Sequence, residues 1–413
     1  MNDYILLPET SVKTVCESDV VVGGGGIAGI SAALAAARNG AKVLLVEKGC
    51  LLGGLATLGL IAIYLPLCDG LGHQVSFGIA EELLKLSIRH FAEGEYPDAW
   101  IGNGREEERK AVRYKVQFNP HMFALEAESL LQAEGVKILY DTKICQAVVK
   151  ENRITHLIIE NKGGRQAISA KSFVDATGDA EICYLAGEET KEFEKKNVLA
   201  NWYYFFSKGK IDLERLGFAE MSDDEVLNAE NDETVESGEQ ISDIKYGGVD
   251  GEEISQMLCD GHAQMLKKIL AKRQNDPTYV PVTSPTMPQL RMIRRIVGKY
   301  TMDRQEANKD FDTGIGCIGH WRKKGPVYAI PFETLYGNKI QNLITAGRCI
   351  SVTDDMWDIT RVIPACAVTG EAAGTAAAMS SNFSASDISS LREMLKKQGV
   401  KLTIHEVNIK EYI

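Results

Sequence analysis

The sequence is short of the features that mark several protein classes. Only 7% of its 413 residues are aromatic, and it holds 11 prolines and 7 histidines. The nine cysteines, at 16, 50, 68, 145, 183, 259, 317, 349 and 366, form no C-x-x-C pair and no His/Cys cluster with zinc-ligand spacing. That argues against a disulfide framework or a structural metal, and the thiols are expected to stay reduced in the cytoplasm. Positive charge is not in excess: 46 basic against 57 acidic residues give a net charge of −11, which argues against nucleic-acid binding. The opening residues lack a basic region followed by an apolar core, so no secretory leader is expected. Repeats and low-complexity tracts are missing too. Two stretches, 20–37 and 49–68, are uncharged over a membrane-spanning length. Glycines 23–26 and 29 interrupt the first, and Gly49, Gly53, Gly54, Gly59 and Pro66 the second. Both read as strand, turn and helix, and no membrane span is expected.

The length allows two or three domains and a large core. Asp19–Val22 is a β-branched run suited to a strand buried on both faces. A glycine turn, an alanine-rich helix from Ile27 to Arg38 and a second buried strand, Lys42–Glu47, complete a βαβ opening with short connections, the mark of a doubly wound α/β sheet. Helical periodicity follows over 77–91 and 122–133, and 136–140 reads as a strand. Segments 144–150, 154–160 and 166–170 form an antiparallel meander, and 171–178 returns to buried-strand character. The text changes at about 188, becoming acidic, then aromatic and arginine-rich, until the apolar style resumes after 326. This divides the chain into 1–187, an insert 188–326, and 327–413. A last helix, 388–397, precedes a short strand at 401–404. Fifteen acids and two bases fall within 212–253, leaving 44 bases and 42 acids elsewhere; this run reads as a solvated helical surface.

Gly24-Gly-Gly26-Ile27-Ala28-Gly29 fits G-x-G-x-x-G in the right setting, with a strand before it and a helix through it. Gly24 permits the tight turn, Gly26 lets a pyrophosphate approach the backbone, and Gly29 lets helix and sheet pack closely. The phosphates would rest on the unpaired N–H groups at the positive helix end. Glu47, at the end of the second strand, is placed to accept from ribose hydroxyls and would repel a 2′-phosphate. A second match, Gly314 to Gly319, has neither the preceding strand nor the following helix and reads as a decoy.

Lys48-Gly-Cys-Leu-Leu-Gly53-Gly54-Leu55-Ala56-Thr57 puts a glycine pair directly after that acid, where backbone can lie against a flat ring system. With DVVVGGGGIAGISAALAAARNGAKVLLVEKGCLLGGLAT (19–57), VDATGDA (174–180), RMIRRIVGKY (291–300), NLITAGRCIS (342–351) and RVIPACAVTGEAAGTAAA (361–378), the chain resembles the FAD-dependent oxidoreductases of the glutathione-reductase-type superfamily. It departs at Ile27, where proline is commoner. The resemblance implies a Rossmann-like FAD-binding domain (a parallel sheet plus the antiparallel meander) built from 1–187 and 327–413, with an inserted α+β substrate or cap domain. It implies FAD as cofactor, contacted by the glycine loop, Glu47, Lys48, Gly53 to Thr57, Ile144, Ala176, Thr177, Gly178, Asp179, Gly347, Arg348, Val362 and Ile363. Pro364 suits the first turn of a helix running to Met379; the resemblance sets its positive end against the flavin's N1–C2=O edge.

For chemistry, the flavin supplies the redox step and the protein orients a substrate and manages a proton. Arg291, Arg294 and Arg295 would, on a helix, set 291 and 295 on one face to grip a carboxylate; they would equally serve as ion pairs between domains. Arg361, just before the flavin-facing helix, is the first candidate for an anionic contact. His320 is a candidate acid/base, set against a plain hinge role, and His73, in a turn-rich stretch after the flavin loop, is another on similar grounds. Trp357 suits ring cover or core. Cys349 and Cys366 lie near the flavin segments but lack dithiol spacing. The expected function is hydride transfer between a small, carboxylate-bearing substrate and flavin N5. The alternatives are a flavin-binding electron-transfer subunit acting with a redox partner protein, and an NAD-dependent dehydrogenase.

Overall fold

The computed structural model describes residues 5, 9–90, 93–94, 96–102, 104–217 and 240–407. Its centre is a seven-stranded mixed sheet, whose strands are numbered β1 (Thr14–Gly23), β2 (Val43–Val46), β3 (Lys137–Leu139), β4 (Lys143–Lys150), β5 (Arg153–Asn161), β6 (Gly164–Asp175) and β7 (Leu343–Thr345). The order is β3-β2-β1-β6-β5-β4, with β7 also on β6. β1 runs parallel to β2 and β6, whereas β4, β5 and β6 are antiparallel. Val20, Val21 and Val22 are fully buried, as the unbroken β-branched run requires of a strand covered on both faces.

The meander strand expected at 166–170 and the buried strand expected at 171–178 are one 12-residue strand, β6. Its first half pairs with β5 at residues 164–168, and its last three residues pair with β7. A change of neighbour along one strand had looked like a break.

Described helices of seven residues or more are α1 (Ile27–Arg38), α2 (Ile79–Ser87), α3 (Pro120–Ala133), α4 (Gly251–Asn275), α5 (Asp354–Thr360), α6 (Ile363–Met379) and α7 (Ile388–Lys397). α1 and α6 touch through backbone. A Cβ on Gly370 would lie 2.4 Å from the Ala28 oxygen, and one on Gly374 2.0 Å from the Ala32 oxygen. Both residue numbers rise together, so the helices run parallel and their amino ends open on the same side. α6 begins seven residues before Gly370 and α1 one residue before Ala28. At 1.5 Å per residue the amino ends are therefore staggered by roughly 9 Å.

Between β6 and β7 the chain builds smaller units. Thr190–Glu192 pairs antiparallel with Arg294–Ile296, and Tyr203–Ser207 lies between Lys210–Glu214 and Val280–Thr283. Two small clusters, around Met257 with Leu290 and around Tyr203 with Tyr279, pack here apart from the main core. Arg291 to Arg295 is not helical. It is an extended segment ending in a strand, so Arg291 and Arg295 share no helix face. Gly314–Gly319 is a buried strand paired with Val327–Pro331; its Ile315 and Ile318 join the main core before residue 326 is reached. No strand forms at 401–404, where a turn leads into a single 3₁₀ turn at His405–Val407. Of the acidic run, 218–239 lies outside the described residues; among the described ones 212–214 and 245–246 are strand and helix begins at Gly251.

Among the described residues no single helix is long and apolar enough to cross a membrane. α5 with α6 reaches that length and composition only as a pair bent by 90°. Residues 20–37 are the end of β1, the glycine turn and α1; residues 49–68 are turns, one 3₁₀ turn and a short strand.

Candidate functional site

The glycine turn is shaped by contacts only glycine permits. Gly24 has φ +94°, and a Cβ on it would meet the Ala176 oxygen at 2.5 Å; one on Gly29 would meet the Gly24 oxygen at 1.8 Å. Gly26, the N-cap of α1, is the reverse case, because a Cβ there meets nothing within 4 Å. No side chain caps this helix and its first turn holds no acid. The first intrahelical bond is Ile30 N–H to the Gly26 oxygen, which leaves the N–H groups of Ile27, Ala28 and Gly29 without intrahelical acceptors at the positive end. Donors, dipole and clear space coincide.

Glu47 is buried, and its two oxygens accept from Gly25 N–H and Gly49 N–H, each at 2.6 Å. It therefore braces both turns, and each oxygen retains a second lone pair for a hydroxyl. Lys48 is exposed. Gly53 (φ +104°) donates to the Gly25 oxygen at 2.8 Å, and a Cβ on Gly54 would lie 3.2 Å from Gly26 Cα. Leu55 and Ala56 continue this as a 3₁₀ turn, closed by Thr57, whose hydroxyl donates to the Leu52 oxygen. Ala176 N–H donates to the Gly23 oxygen. Thr177 is held by Asp175, and Gly178 (φ +87°) lies against the Arg348 guanidinium, which pairs with Asp179 at 3.3 Å. Gly347 N–H donates to the Thr369 hydroxyl of α6, and its Cβ position is 2.7 Å from Ala28 Cβ. The glycine loop, the Gly53–Gly54 pair, the Ala176–Asp179 turn and Gly347–Arg348 thus form one cluster. Ile144 packs its side chain into the core beneath Gly23.

The second half is the amino end of α6. Val362 is its N-cap, Pro364 lies in its first turn, and no capping side chain or acid is present. Arg361, directly before it, donates to Asp358 through Nε at 3.0 Å and Nη2 at 2.5 Å. Arg322 donates to the same carboxylate at 2.8 and 3.2 Å. Burial opposes ionisation of Asp358, but Arg361 and Arg322 outweigh it and hold the carboxyl far below its ordinary range. Both arginines lie over the Trp321 ring, Arg322 at 3.8 Å and Arg361 at 5.7 Å. Asp358 escaped sequence reading, although Asp358 and Arg361 stand at the i, i+3 spacing of a helical ion pair.

His320 is 4% exposed, and its Nδ1 accepts the N–H groups of Arg322 and Lys323, each at 3.2 Å. Burial and the nearby Lys323 pull its pKa down to about 4, so at neutral pH it is an uncharged imidazole holding the turn that carries Arg322. Its folded value lies below the unfolded value near 6.5, so stability drawn from it falls as pH drops from about 6.5 toward 4. We expect its ring resonances in NMR spectra to stay constant between pH 5.5 and 8; a titration near 6.5 would contradict this burial. His73 Nδ1 donates to Asp69 Oδ2 at 2.8 Å. Trp357 is fully buried, donates to the Arg348 oxygen and stacks edge-on with Phe193; it is core. Burial raises the Cys366 thiol to about 11 and the Cys349 thiol well above its usual value, so neither is a thiolate at neutral pH.

The three arginines of 291–295 diverge. Arg295 pairs with Asp354 at 3.1 Å, and Arg294 donates to the Asp179 oxygen and covers Tyr184. Arg291 is buried beside Trp202, and burial, Arg361 and Arg348 all depress its pKa. No group of three or more His, Cys, Asp or Glu side chains suited to a metal occurs among the described residues.

A model of a family described as FAD dependent oxidoreductase matches residues 19–201 and 193–397. The chain belongs to this family. Its cofactor is FAD and it is an oxidoreductase. Among solved structures, this family member resembles a geranylgeranyl bacteriochlorophyll reductase-like protein from Thermoplasma acidophilum, with 13% identity over 96% of this chain and 82% of that one, at a TM-score of 0.43. It also resembles a 3-ketosteroid-Δ4-(5α)-dehydrogenase from Rhodococcus jostii RHA1, with 14% identity over 89% and 98% of the two chains, at a TM-score of 0.40. Comparison with curated proteins finds no match.

Proposed function

We propose that this oxidoreductase passes a hydride between a small-molecule substrate and flavin N5 at the amino end of α6. The observation that carries the reading is the pair of uncapped helix ends, α1 and α6, fixed side by side and staggered by roughly 9 Å. Two separated positive ends on one side of the sheet suit a ligand with negative charge at two places.

In this reading Gly24, Gly26 and Gly29 admit the pyrophosphate to the N–H groups of Ile27 and Ala28, and Glu47 accepts from ribose hydroxyls. Gly53, Gly54, Ala176 to Asp179 and Gly347 line the path between the two ends. Bound FAD supplies a two-electron carrier at N5. The Val362–Ile363 end stabilises negative charge placed against it, and Arg361, fixed by Asp358, adds a full cation. Leu55 to Thr57 close the other side. His320 enters as the support of Arg322, not as acid or base. Nine free thiols suit a reducing cytoplasm.

Protein purified in the presence of riboflavin-replete medium is expected to be yellow, with flavin absorbance that bleaches anaerobically on adding a reducing substrate. A colourless protein that refuses added FAD would refute the assignment. Bleaching only through a copurifying redox protein would replace it with the electron-transfer reading.

A further inference from the structure

We infer that Arg291 is the anchor for a carboxylate on the substrate. The inference rests on the flavin-site reading above and names the substrate class that site takes.

Its backbone is fixed from three sides. Asn197 Oδ1 accepts from the N–H groups of Arg291 and Met292 at 3.0 Å. Arg348 Nη1 donates to the Arg291 oxygen at 2.9 Å, and Gln289, two residues earlier, donates to the Gly59 oxygen just beyond the Gly53–Thr57 turn. The segment is therefore tied at once to the insert, to the loop after the glycine pair and to Arg348.

The side chain is 6% exposed, yet its guanidinium makes one long hydrogen bond, 3.4 Å to the Gln289 oxygen, and lies 5.5 Å from the Trp202 ring centre. Four other arginines nearby differ in this respect. Arg295 has Asp354, Arg348 has Asp179, and Arg322 and Arg361 share Asp358. Among the described residues no carboxylate pairs with Arg291. A guanidinium carries five N–H donors, and a buried cation without a counterion is costly. Arg361 and Arg348 sharpen the imbalance, since each repels its charge.

The missing partner is assigned by position. On the flavin-site reading, the α1 end would hold the diphosphate of the cofactor and the α6 end the flavin edge. Arg291 stands among Asn197, Trp202 and Gln289, where the segment between β6 and β7 meets the loop at Gly59, and within electrostatic reach of Arg361 at the α6 end. A single planar fork matches a planar carboxylate through two parallel bonds.

The test uses the FAD-loaded full chain, titrated with sodium acetate, succinate and benzoate, with benzamide as the uncharged match for benzoate and inorganic phosphate as a tetrahedral anion. The flavin absorbance reports binding. At least one carboxylate is expected to give a saturable spectral change, with benzamide and phosphate weaker. Arg291→Met should weaken that carboxylate about a hundredfold while keeping flavin content, and Arg291→Lys, which keeps the charge without the fork, should fall between. Equal binding of benzoate and benzamide, stronger binding of phosphate, no response to any carboxylate, or unchanged binding by both variants would each overturn the inference. Loss of FAD from both variants would assign Arg291 to the cofactor instead. A wild-type chain that holds no FAD fails the earlier reading, and is told apart by its missing flavin bands.

Discussion

Gly29→Ala protein is expected to purify without flavin and to melt well below the parent. The added Cβ would sit 1.8 Å from the Gly24 oxygen; one is a backbone atom and the other is fixed directly to Cα, so neither can rotate aside. Relief requires α1 to move off the turn, which opens the Gly24–Gly26 cradle and separates Ala28 from Gly370. Overpacking in a tight interior usually costs 1–3 kcal/mol, and a clash between two backbone segments belongs at the upper end, about 3 kcal/mol. Gly40→Ala is the control. Unlike Gly29 it occupies a left-handed turn (φ +82°), and its Cβ meets nothing within 4 Å, so it should cost only the backbone strain of about 1–2 kcal/mol and leave flavin content unchanged. The ratio of flavin to protein absorbance and a thermal melt check both variants. Full flavin retention by Gly29→Ala would show that the turn does not cradle the cofactor.

Asp358→Ala should cost about 3–5 kcal/mol, because it removes the carboxylate that two buried guanidiniums share. Arg322 and Arg361 are 7% and 10% exposed at the side chain, so water cannot replace the lost carboxylate fully. Chemical denaturation at pH 7 measures the loss. The folded pKa is depressed below the unfolded value near 3.9, so the stabilisation is complete at neutral pH and fades only as pH falls through the folded value. The gap between parent and variant should therefore hold constant from pH 8 to 5 and close only in strong acid. A gap that shrinks between pH 7 and 5 would show that another group carries it. Asp358→Asn, which keeps the shape and one acceptor oxygen, should lose less.

Legibility in the sequence followed how local each signal was. β1, the glycine turn, α1 and β2 announce themselves within 30 residues through β-branched runs, glycine spacing and alanine content. The start of α6 was equally plain, since Pro364 fits only the first turn of a helix. The arginine segment was not. Arg294–Ile296 becomes a strand by pairing with Thr190–Glu192, about a hundred residues earlier, and arginines at helical spacing imitate a helix without an apolar face to test it. The unpaired state of Arg291 was hidden for the same reason, because which arginine keeps a carboxylate depends on Asp179 from one distant segment and on Asp354 and Asp358 of α5 from another. Asp358 itself was within reach of a local rule. His320 looked reactive as a residue type, and only burial revealed an imidazole consumed by two backbone amides.

The backbone contact between α1 and α6 has a consequence for how such a protein could diversify. Carbonyl oxygens and α-carbons, not rotatable side chains, set the offset between the two helix ends, so that offset works as a gauge block whose length ordinary point changes leave alone. The insert contributes none of those atoms. Changes beside Arg291, at Trp202 for example, leave that offset alone, so the substrate side can be reshaped while the grip on the coenzyme stays calibrated.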